Sequence, residues 1–345
     1  MSWGKGRVHP IRMVKLERSK RVGRKFQAPV KTTLGGFGMM LKVLPEILFG
    51  GKHRVPNEAL GPFRTDVSAY ETGPESGLRV TWFGHSSMLV EMDGARVLID
   101  PVWDERAAPV DWFGPKRFFA PTMRLDEMPQ LDAVLISHDH YDHLGKKTVQ
   151  KLARLMPGLR WVTSLGVGAE LRGFGVSAER ITELDWTQSI SIAGLTITSV
   201  PARHFSGRSV SNRNETLWAS FVLAGPRHKV YYGADSGLWD GFQAIGKAYG
   251  PFDLSMLEVG AFSELWRDIH LGPDGAVKAL EMLGGGLMMP IHWGLFDLAL
   301  HAWREPIKRI WELEVQIFSP EPGKAEEVRE LRSRWWWDHS VDVDG

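Results

Sequence analysis

The sequence predicts a mixed α/β (α+β) fold in which two sheets pack face to face and helices cover them. Two groups of short apolar strands are interspersed with helical patterns, an arrangement typical of layered sheets under helices. The composition is that of a globular protein, since 43% of the 345 residues are hydrophobic and 24% are charged. At roughly 150 residues per domain two domains would fit, but one large domain with extensions fits equally well.

The first group of strands opens as an antiparallel meander. Its second and third strands flank Asp93-Gly94, a dipeptide that favours a two-residue hairpin turn. A short apolar run then indicates a buried strand, and apolar residues recur at helical spacing from Val149 to Leu155. The predicted strands of this group are 79–82, 88–92, 96–99 and 133–136.

The second group of strands also combines hairpins with short apolar strands, but it shows no detectable sequence repeat of the first group. Ala193-Gly194 separates the strands of one predicted hairpin, and a second hairpin follows it. Pro273 opens a predicted helix that extends to Leu283, because the first helical turn tolerates a missing N–H group. The predicted strands of this group are 189–192, 195–200, 219–223, 229–232, 253–256 and 287–289.

The strands predict one domain over 78–320, with a basic N-terminal extension (1–77) and a Trp-rich C-terminal tail (321–345). The net charge of +1 hides an asymmetry, because residues 1–60 carry 13 Lys and Arg against 3 Asp and Glu. This basic arm could bind anionic lipid or nucleic acid, or it could be a solvated or domain-wrapping extension.

Two further segments could contact a membrane, but neither could cross one. No stretch reaches the roughly 18 apolar residues that a membrane span needs. The segment from Gly38 to Phe49 and the triplet Trp335-Trp336-Trp337 could each lie at a membrane interface or pack against the domain. We expect a cytoplasmic protein that can associate peripherally with an anionic membrane.

A dense group of metal-ligand residues directly follows the predicted strand 133–136. The chain has no cysteine, which excludes thiolate zinc, iron–sulfur clusters and a cysteine nucleophile, so any metal must use histidine and carboxylate. Side chains two apart on an extended chain point the same way, so His138 and His140 can bind one ion together. Asp142 and His143, in the turn that follows, can face a second ion.

Two metals need more ligands than this loop supplies. Later candidates each stand just past a predicted apolar strand, and they are His204, Asp235 and His292. Each alone could be an ordinary core or surface residue, but their recurrence fits one shared rim. A carboxylate such as Asp235 can bridge two cations.

This pattern resembles the metallo-β-lactamase superfamily of dinuclear hydrolases. Further blocks resemble the N-acylphosphatidylethanolamine-hydrolysing phospholipase D family and its bacterial relatives, over about 78–306. These blocks are Thr81-Trp82-Phe83-Gly84-His85, Leu98-Ile99-Asp100-Pro101, Gly114-Pro115-Lys116-Arg117, Pro201-Ala202-Arg203-His204-Phe205-Ser206-Gly207-Arg208 and Ile291-His292-Trp293-Gly294. The resemblance implies a four-layer αβ/βα sandwich.

The resemblance also implies roles for individual residues. One zinc ion would be held by His138, His140 and His204, and the other by Asp142, His143 and His292, with Asp235 between them. His270, in a His-x-x-Pro-x-x-Ala-Val block, would contact substrate. His270 and Asp142 are thus the expected catalytic residues. His85 and Asp100 are expected to orient ligand imidazoles through hydrogen bonds, although packing or turn roles are nearly as well supported.

The chain departs from these relatives at two blocks. Ala234-Asp235-Ser236-Gly237 replaces the common Gly-Asp-Thr-Gly and keeps the ligand. Glu258-Val259-Gly260-Ala261-Phe262 replaces Pro-Ile-Gly-Ala-Tyr, which removes a phenolic hydroxyl and adds a carboxylate near the expected pocket. The substrate could therefore differ even where the chemistry does not.

We expect a zinc-dependent phosphodiesterase of the phospholipase D type, acting on N-acylphosphatidylethanolamine or a related phospholipid. Two zinc ions can lower the pKa of a bridging water to about 7 and so present hydroxide to phosphorus. Iron or manganese is an alternative, because histidine and carboxylate ligands accept all three metals.

Other functions stay open at this point. A lactonase or amide hydrolase could use the same metals, and a nuclease or a non-catalytic binding protein is less well supported. No nucleic-acid partner is expected, because no RNA-binding module is recognisable. A homodimer is compatible with the sequence.

Overall fold

Two β-sheets face each other across the main hydrophobic core in the computed structural model, which describes residues 14–33, 53–333 and 335–338. Side chains alternate across each strand, so one face of each sheet supplies this core. Val80, Val90 and Val97 contribute to it from the first sheet, and Phe221 and Leu223 from the second. The predicted face-to-face arrangement is confirmed.

The first sheet has seven strands. Its opening strands form the predicted antiparallel meander, and its later strands run parallel to one another. With strands numbered along the chain, their order across the sheet is β16 (Ala325–Glu327), β3 (Leu78–Trp82), β4 (Met88–Met92), β5 (Ala95–Ile99), β6 (Ala133–Ile136), β7 (Arg160–Ser164) and β8 (Ile181–Leu184).

The second sheet has six strands, with two antiparallel hairpins followed by parallel strands. Their order across the sheet is β14 (Met288–Ile291), β13 (Leu254–Glu258), β12 (Lys229–Tyr232), β11 (Ser220–Ala224), β10 (Leu195–Val200) and β9 (Ser189–Ile192). Both predicted hairpins are present. The predicted strand boundaries differ from the observed ones by at most two residues.

Helices cover the outer faces of both sheets. The helix α1 (Lys146–Leu155) buries Val149 and Leu152 against the outer face of the first sheet, where α2 (Gly168–Gly173) also packs. On the second sheet lie α3 (Gly241–Tyr249), α4 (Gly272–Leu283) and α5 (Glu305–Glu312). Four layers result, as the resemblance implied.

Short elements complete the described part of the chain. They are β1 (Lys20–Val22) paired with β2 (Lys25–Gln27), β15 (Phe318–Ser319) paired with β17 (Leu331–Arg332), the helix α6 (Trp335–Asp338), and single 3-10 turns at 67–70, 125–127 and 178–180. Sequence analysis predicted no strand at 160–164 or 181–184. Both segments mix polar with apolar residues, and they form strands by pairing in parallel beside β6.

Residues outside 78–320 also contribute to the fold. The strand β16 pairs with β3, and Trp336 and Trp337 are buried, with Trp293 and Trp336 stacked at 5.1 Å between ring centroids. These two tryptophans therefore pack against the domain and do not face a membrane. The segment from Gly38 to Phe49 lies outside the described residues, and the predicted domain boundaries stay predictions.

No helix in the described ranges has the length and apolar character that crossing a bilayer requires. The predicted cytoplasmic location stays a prediction.

Replacing Trp337 by alanine is expected to lower the free energy of unfolding by about 3–5 kcal/mol, because a large buried ring is removed and leaves a cavity. Trp337 is 1% exposed, whereas Trp112 is 80% exposed and provides the matched control. Chemical denaturation should show a change within about 0.5 kcal/mol for W112A. Equal losses for the two variants would contradict the burial of the C-terminal segment.

Candidate metal centre

The predicted ligands converge because the strands that precede them end at one edge of the sandwich. The strands β5 and β6 are parallel, as are β12, β13 and β14, so their carboxyl ends share an edge within each sheet. Two donors, Asp235 and His292, follow β12 and β14, and the motif 138–143 follows β6. The tertiary structure brings all seven predicted ligands together at this edge.

One cluster combines three imidazoles with a carboxylate. His138 Nε2 lies 2.8 Å from His140 Nδ1, which lies 3.4 Å from His204 Nε2. Asp235 Oδ2 is 3.5 Å from His204 Nε2 and 3.8 Å from His138 Nε2. The donor atoms thus surround one point, and they match the first predicted ligand set together with Asp235.

A second cluster lies beside the first. Asp142 Oδ2 is 3.2 Å from His292 Nε2 and 3.5 Å from His143 Nε2. His85 Nε2 joins this cluster at 2.9 Å from the same oxygen. The sequence predicts that His85 orients ligand imidazoles, whereas the side-chain hydrogen bond that His85 makes is to the Asp142 carboxylate. Its nitrogen also stands close enough to be counted among the donors.

Asp235 contacts both clusters. Its Oδ1 lies 3.1 Å from His143 Nε2, while Oδ2 approaches His138 and His204 and is 3.2 Å from His292 Nε2. Asp235 is 3% exposed, so this carboxylate is removed from bulk water. The geometry is that of a carboxylate able to bridge two ions.

Hydrogen bonds from outside the clusters orient the imidazoles. Asp100 Oδ2 accepts from His143 Nδ1 at 2.7 Å, and Ile269 O accepts from His204 Nδ1 at 2.8 Å. Asp100 also accepts from the Ser137 backbone N–H and from the Tyr232 hydroxyl. These bonds leave the Nε2 atoms of His143 and His204 facing the site. The hydrogen bond from Tyr232 to Asp100 was not predicted, because Tyr232 belongs to no recognisable sequence motif.

Two histidines of the second cluster adopt left-handed backbone conformations, and Asp100 also has a positive φ of +38°. The φ angles are +54° for His85 and +64° for His292, a region that non-glycine residues rarely occupy. The two turns support each other, because the His292 N–H donates to His85 O at 2.9 Å and the His85 N–H donates to Trp293 O at 3.2 Å. These hydrogen bonds help to hold the strained backbone that places both imidazoles in the second cluster.

Burial and neighbouring charges set the protonation of the donors. Burial lowers the pKa of His138 and of His204, which favours the neutral form that binds metal. Burial also raises the pKa of Asp142 and of Asp235, but the adjacent imidazoles, His143 foremost, outweigh it and hold both pKa values well below the usual range. Both carboxylates are therefore ionised at neutral pH.

Two imidazoles behave in the opposite way. Burial lowers the pKa of His143, yet Asp235 and Asp142 outweigh it and hold that pKa well above the usual value. The same carboxylates raise the pKa of His292 to about 10. In the metal-free protein these two residues carry protons that a metal ion must displace.

Unpartnered buried atoms show that the residues fit metal ions. His143 Nε2, His292 Nε2 and Asp235 Oδ1 make no hydrogen bond although they are buried, since the short distances between them are not aligned for one. A buried polar atom without a partner is costly. Cations that displace the two imidazole protons would satisfy these atoms, and histidine with carboxylate suits zinc, iron or manganese.

His270 lies beside the clusters, with its ring centroid 5.1 Å from that of His204 and 5.4 Å from that of His292. Its partner is Glu258, the residue that departs from the family pattern. Glu258 Oε2 accepts from His270 Nδ1 at 2.6 Å, while Oε1 accepts from the backbone N–H groups of Ser236 and Leu271. Glu258 is fully buried, and burial raises its pKa.

The sequence places the added carboxylate of Glu258 near the expected substrate pocket, and its effect on substrate choice stays a prediction. The tertiary structure adds a contact with His270, the residue expected to touch substrate. This contact spans twelve residues and has no sequence signature. Phe262, the other changed residue, stacks on His301 at 4.6 Å between ring centroids.

Comparison with known proteins agrees with this geometry. Residues 95–293 match the family described as "Beta-lactamase superfamily domain". The chain belongs to the β-lactamase superfamily. An uncharacterised protein of Mycobacterium tuberculosis (H37Rv) from the curated proteins is 47% identical over 273 residues, which cover 77% of this chain and 73% of that protein.

A second relative carries a functional name. The protein named "N-acyl-phosphatidylethanolamine-hydrolyzing phospholipase D 1" of Caenorhabditis elegans is 35% identical, over 72% of this chain and 73% of its own. Among solved structures, the metallo hydrolase Igni18 of Ignicoccus hospitalis shares the β-lactamase-superfamily fold, with a TM-score of 0.56 and 22% identity over 73% of this chain and 98% of its own.

These findings confirm the predicted family and fold class. The protein is a metal-dependent hydrolase of the β-lactamase superfamily, with histidine and aspartate clusters that could bind metal.

Metal binding at pH 7 is expected to release about two protons from the protein, because His143 and His292 must give up their Nε2 protons to become ligands. The release should decline as the pH rises towards the pKa of about 10 of His292. Calorimetric titration of the metal-stripped protein with zinc, in buffers of different ionisation enthalpy, measures this number. Binding without proton release would contradict the assignment of these two residues.

Proposed function

We propose that the protein is a dinuclear zinc phosphodiesterase that hydrolyses N-acylphosphatidylethanolamine or a related phospholipid in the phospholipase D sense. The observation that carries the proposal is the pair of donor clusters joined by Asp235. Sites with two metals suit phosphodiesters, because both the attacking and the leaving oxygen need stabilisation. The 35% identity with the named C. elegans phospholipase supports this substrate class.

The ligand assignment follows the two clusters. His138, His140 and His204 would hold one ion, and Asp142, His143 and His292 the other, with Asp235 shared. Zinc ions bound there supply an activated water and positive charge beside the phosphoryl oxygens. Iron or manganese would suit the same donors.

His270 is the residue of this chain best placed to act on substrate. Because Nδ1 donates to Glu258, Nε2 is the ring atom left for substrate. That nitrogen can exchange a hydrogen bond or a proton with the leaving alcohol oxygen. The ionised form of Glu258 would also stabilise positive charge on the ring, in the manner of a carboxylate that orients a catalytic histidine.

Asp142 would act as both ligand and catalytic residue. Its contacts with His85, His143 and His292 all involve Oδ2. The second oxygen is therefore left to accept a hydrogen bond from the attacking water. Asp142 is 13% exposed at its side chain, more than the other carboxylate of the site, Asp235.

Zinc-loaded protein is expected to release N-acylethanolamine and phosphatidic acid from N-acylphosphatidylethanolamine, and p-nitrophenol from bis-(p-nitrophenyl) phosphate. Removal of metal by a chelator should abolish both activities, and added zinc should restore them. Mass spectrometry identifies the lipid products. Turnover of neither substrate would exclude the phosphodiesterase, and hydrolysis of lactones alone would favour a lactonase.

Replacing Glu258 by glutamine is expected to lower kcat by about 10–100-fold with unchanged zinc content, because His270 loses its carboxylate partner. If Glu258 acts through His270, the double variant E258Q/H270Q will be no slower than H270Q alone. The control is E91Q, since Glu91 is also buried, at 3% exposure, but pairs with Arg79. A loss of activity in E91Q as large as in E258Q would indicate general destabilisation.

A further inference from the structure

Residues 14–33 of the basic arm lie on the domain beside the metal centre. Its hairpin of β1 and β2 is attached through Phe26, which is 3% exposed and whose N–H donates to Asn214 O at 2.8 Å. Asn214 belongs to the loop that follows His204. The contact between Phe26 and Asn214 thus joins the arm to the loop after a predicted metal ligand, although the two residues lie far apart in the sequence.

A second attachment involves the neighbour of that ligand. Arg203 donates through Nη2 to Lys31 O at 2.9 Å and pairs with Asp268 at 2.8 Å. Asp268 in turn accepts from the Thr33 N–H at 2.9 Å. These contacts fix the backbone of Lys31, which lines the same groove as His204.

Between the two attachments the arm forms one wall of an open groove of about 620 Å³, whose lining includes His204 and Asn214. This volume falls within the usual range for a ligand of moderate size. The arm contributes cationic side chains (Lys20, Lys25) and apolar ones (Val22, Val30) to the lining. Val22 is 64% exposed.

The lysines of the groove differ in their partners. Lys20 pairs with Glu17 at 3.0 Å. Lys25 and Lys31 are exposed, and in the described ranges no carboxylate forms an ion pair with either. Their charges are therefore available to an anion in the groove.

We propose that this groove binds the phospholipid substrate on the His204 side of the metal centre, with Lys25 and Lys31 attracting the phosphate anion and the apolar residues contacting an acyl chain. The ligand class is an anionic phosphate with an apolar extension. The groove combines both chemistries, and its lining includes His204, a predicted metal ligand that is itself buried. The inference rests on the proposed phosphodiesterase and assigns the basic arm to its substrate site.

The test measures binding and does not depend on turnover. Dihexanoylphosphatidic acid is titrated calorimetrically into the zinc-loaded full chain at low salt. The variant K25E/K31E is expected to bind about tenfold or more weakly, and the difference should shrink at high salt because exposed charges are screened. The variant K15E/R18E is the matched control, since it makes the same charge change on the arm outside the groove lining.

The control variant should bind within about twofold of the unaltered protein if the groove itself attracts the ligand. Inorganic phosphate should bind more weakly than the amphiphile, because it lacks the apolar extension. Equal weakening in both variants, equal affinity for inorganic phosphate, or tighter binding of a single-stranded RNA oligonucleotide would each overturn the proposal. Thermal melting of both variants verifies that they fold.

This binding test can fail or succeed independently of the proposed phosphodiesterase activity. Absence of phosphodiester turnover with groove-dependent binding would exclude the reaction but retain the site. Turnover in which the KM for dispersed N-acylphosphatidylethanolamine is unchanged in K25E/K31E would retain the reaction and overturn the groove.

Discussion

Asp235 is the carboxylate on which the site depends. Its two oxygens approach imidazoles of both clusters, and it is buried among groups whose charges keep it ionised. Burying an ionised carboxylate costs free energy unless the charge is paired. Asp235 therefore needs the surrounding imidazoles, and they in turn need Asp235. A bound pair of cations would satisfy this cluster of lone pairs, which explains why a stable fold can keep so many unpartnered donors inside.

The sandwich creates the site through the way its strands end. Parallel strands deliver Asp235, Glu258 and His292 to one edge, and left-handed turns at His85 and His292 redirect the chain there. The cost of these turns is offset by the sheets below them, which are held by a large apolar core. The rigid sheets and the strained loops that follow them therefore hold the ligand side chains in position before a metal ion binds.

Local features of the site were predictable from the sequence. Four of the donors lie within six residues directly after an apolar strand. The sequence therefore predicts that His138, His140, Asp142 and His143 are neighbours. Strand and hairpin positions were likewise readable from alternation and turn residues. The strand 181–184 was not, because its polar residues give no clear period, and pairing with β7 decides its conformation.

The kinds of donor, their position after strands and the excess of positive charge near the N-terminus can be read from the residues alone. Which of these groups meet depends on the folded arrangement. Glu258 pairs with His270, and Lys31 lies beside Arg203, 172 residues away. The physical reason is that such contacts depend on how the two sheets and the arm pack together, which no local pattern of residues encodes.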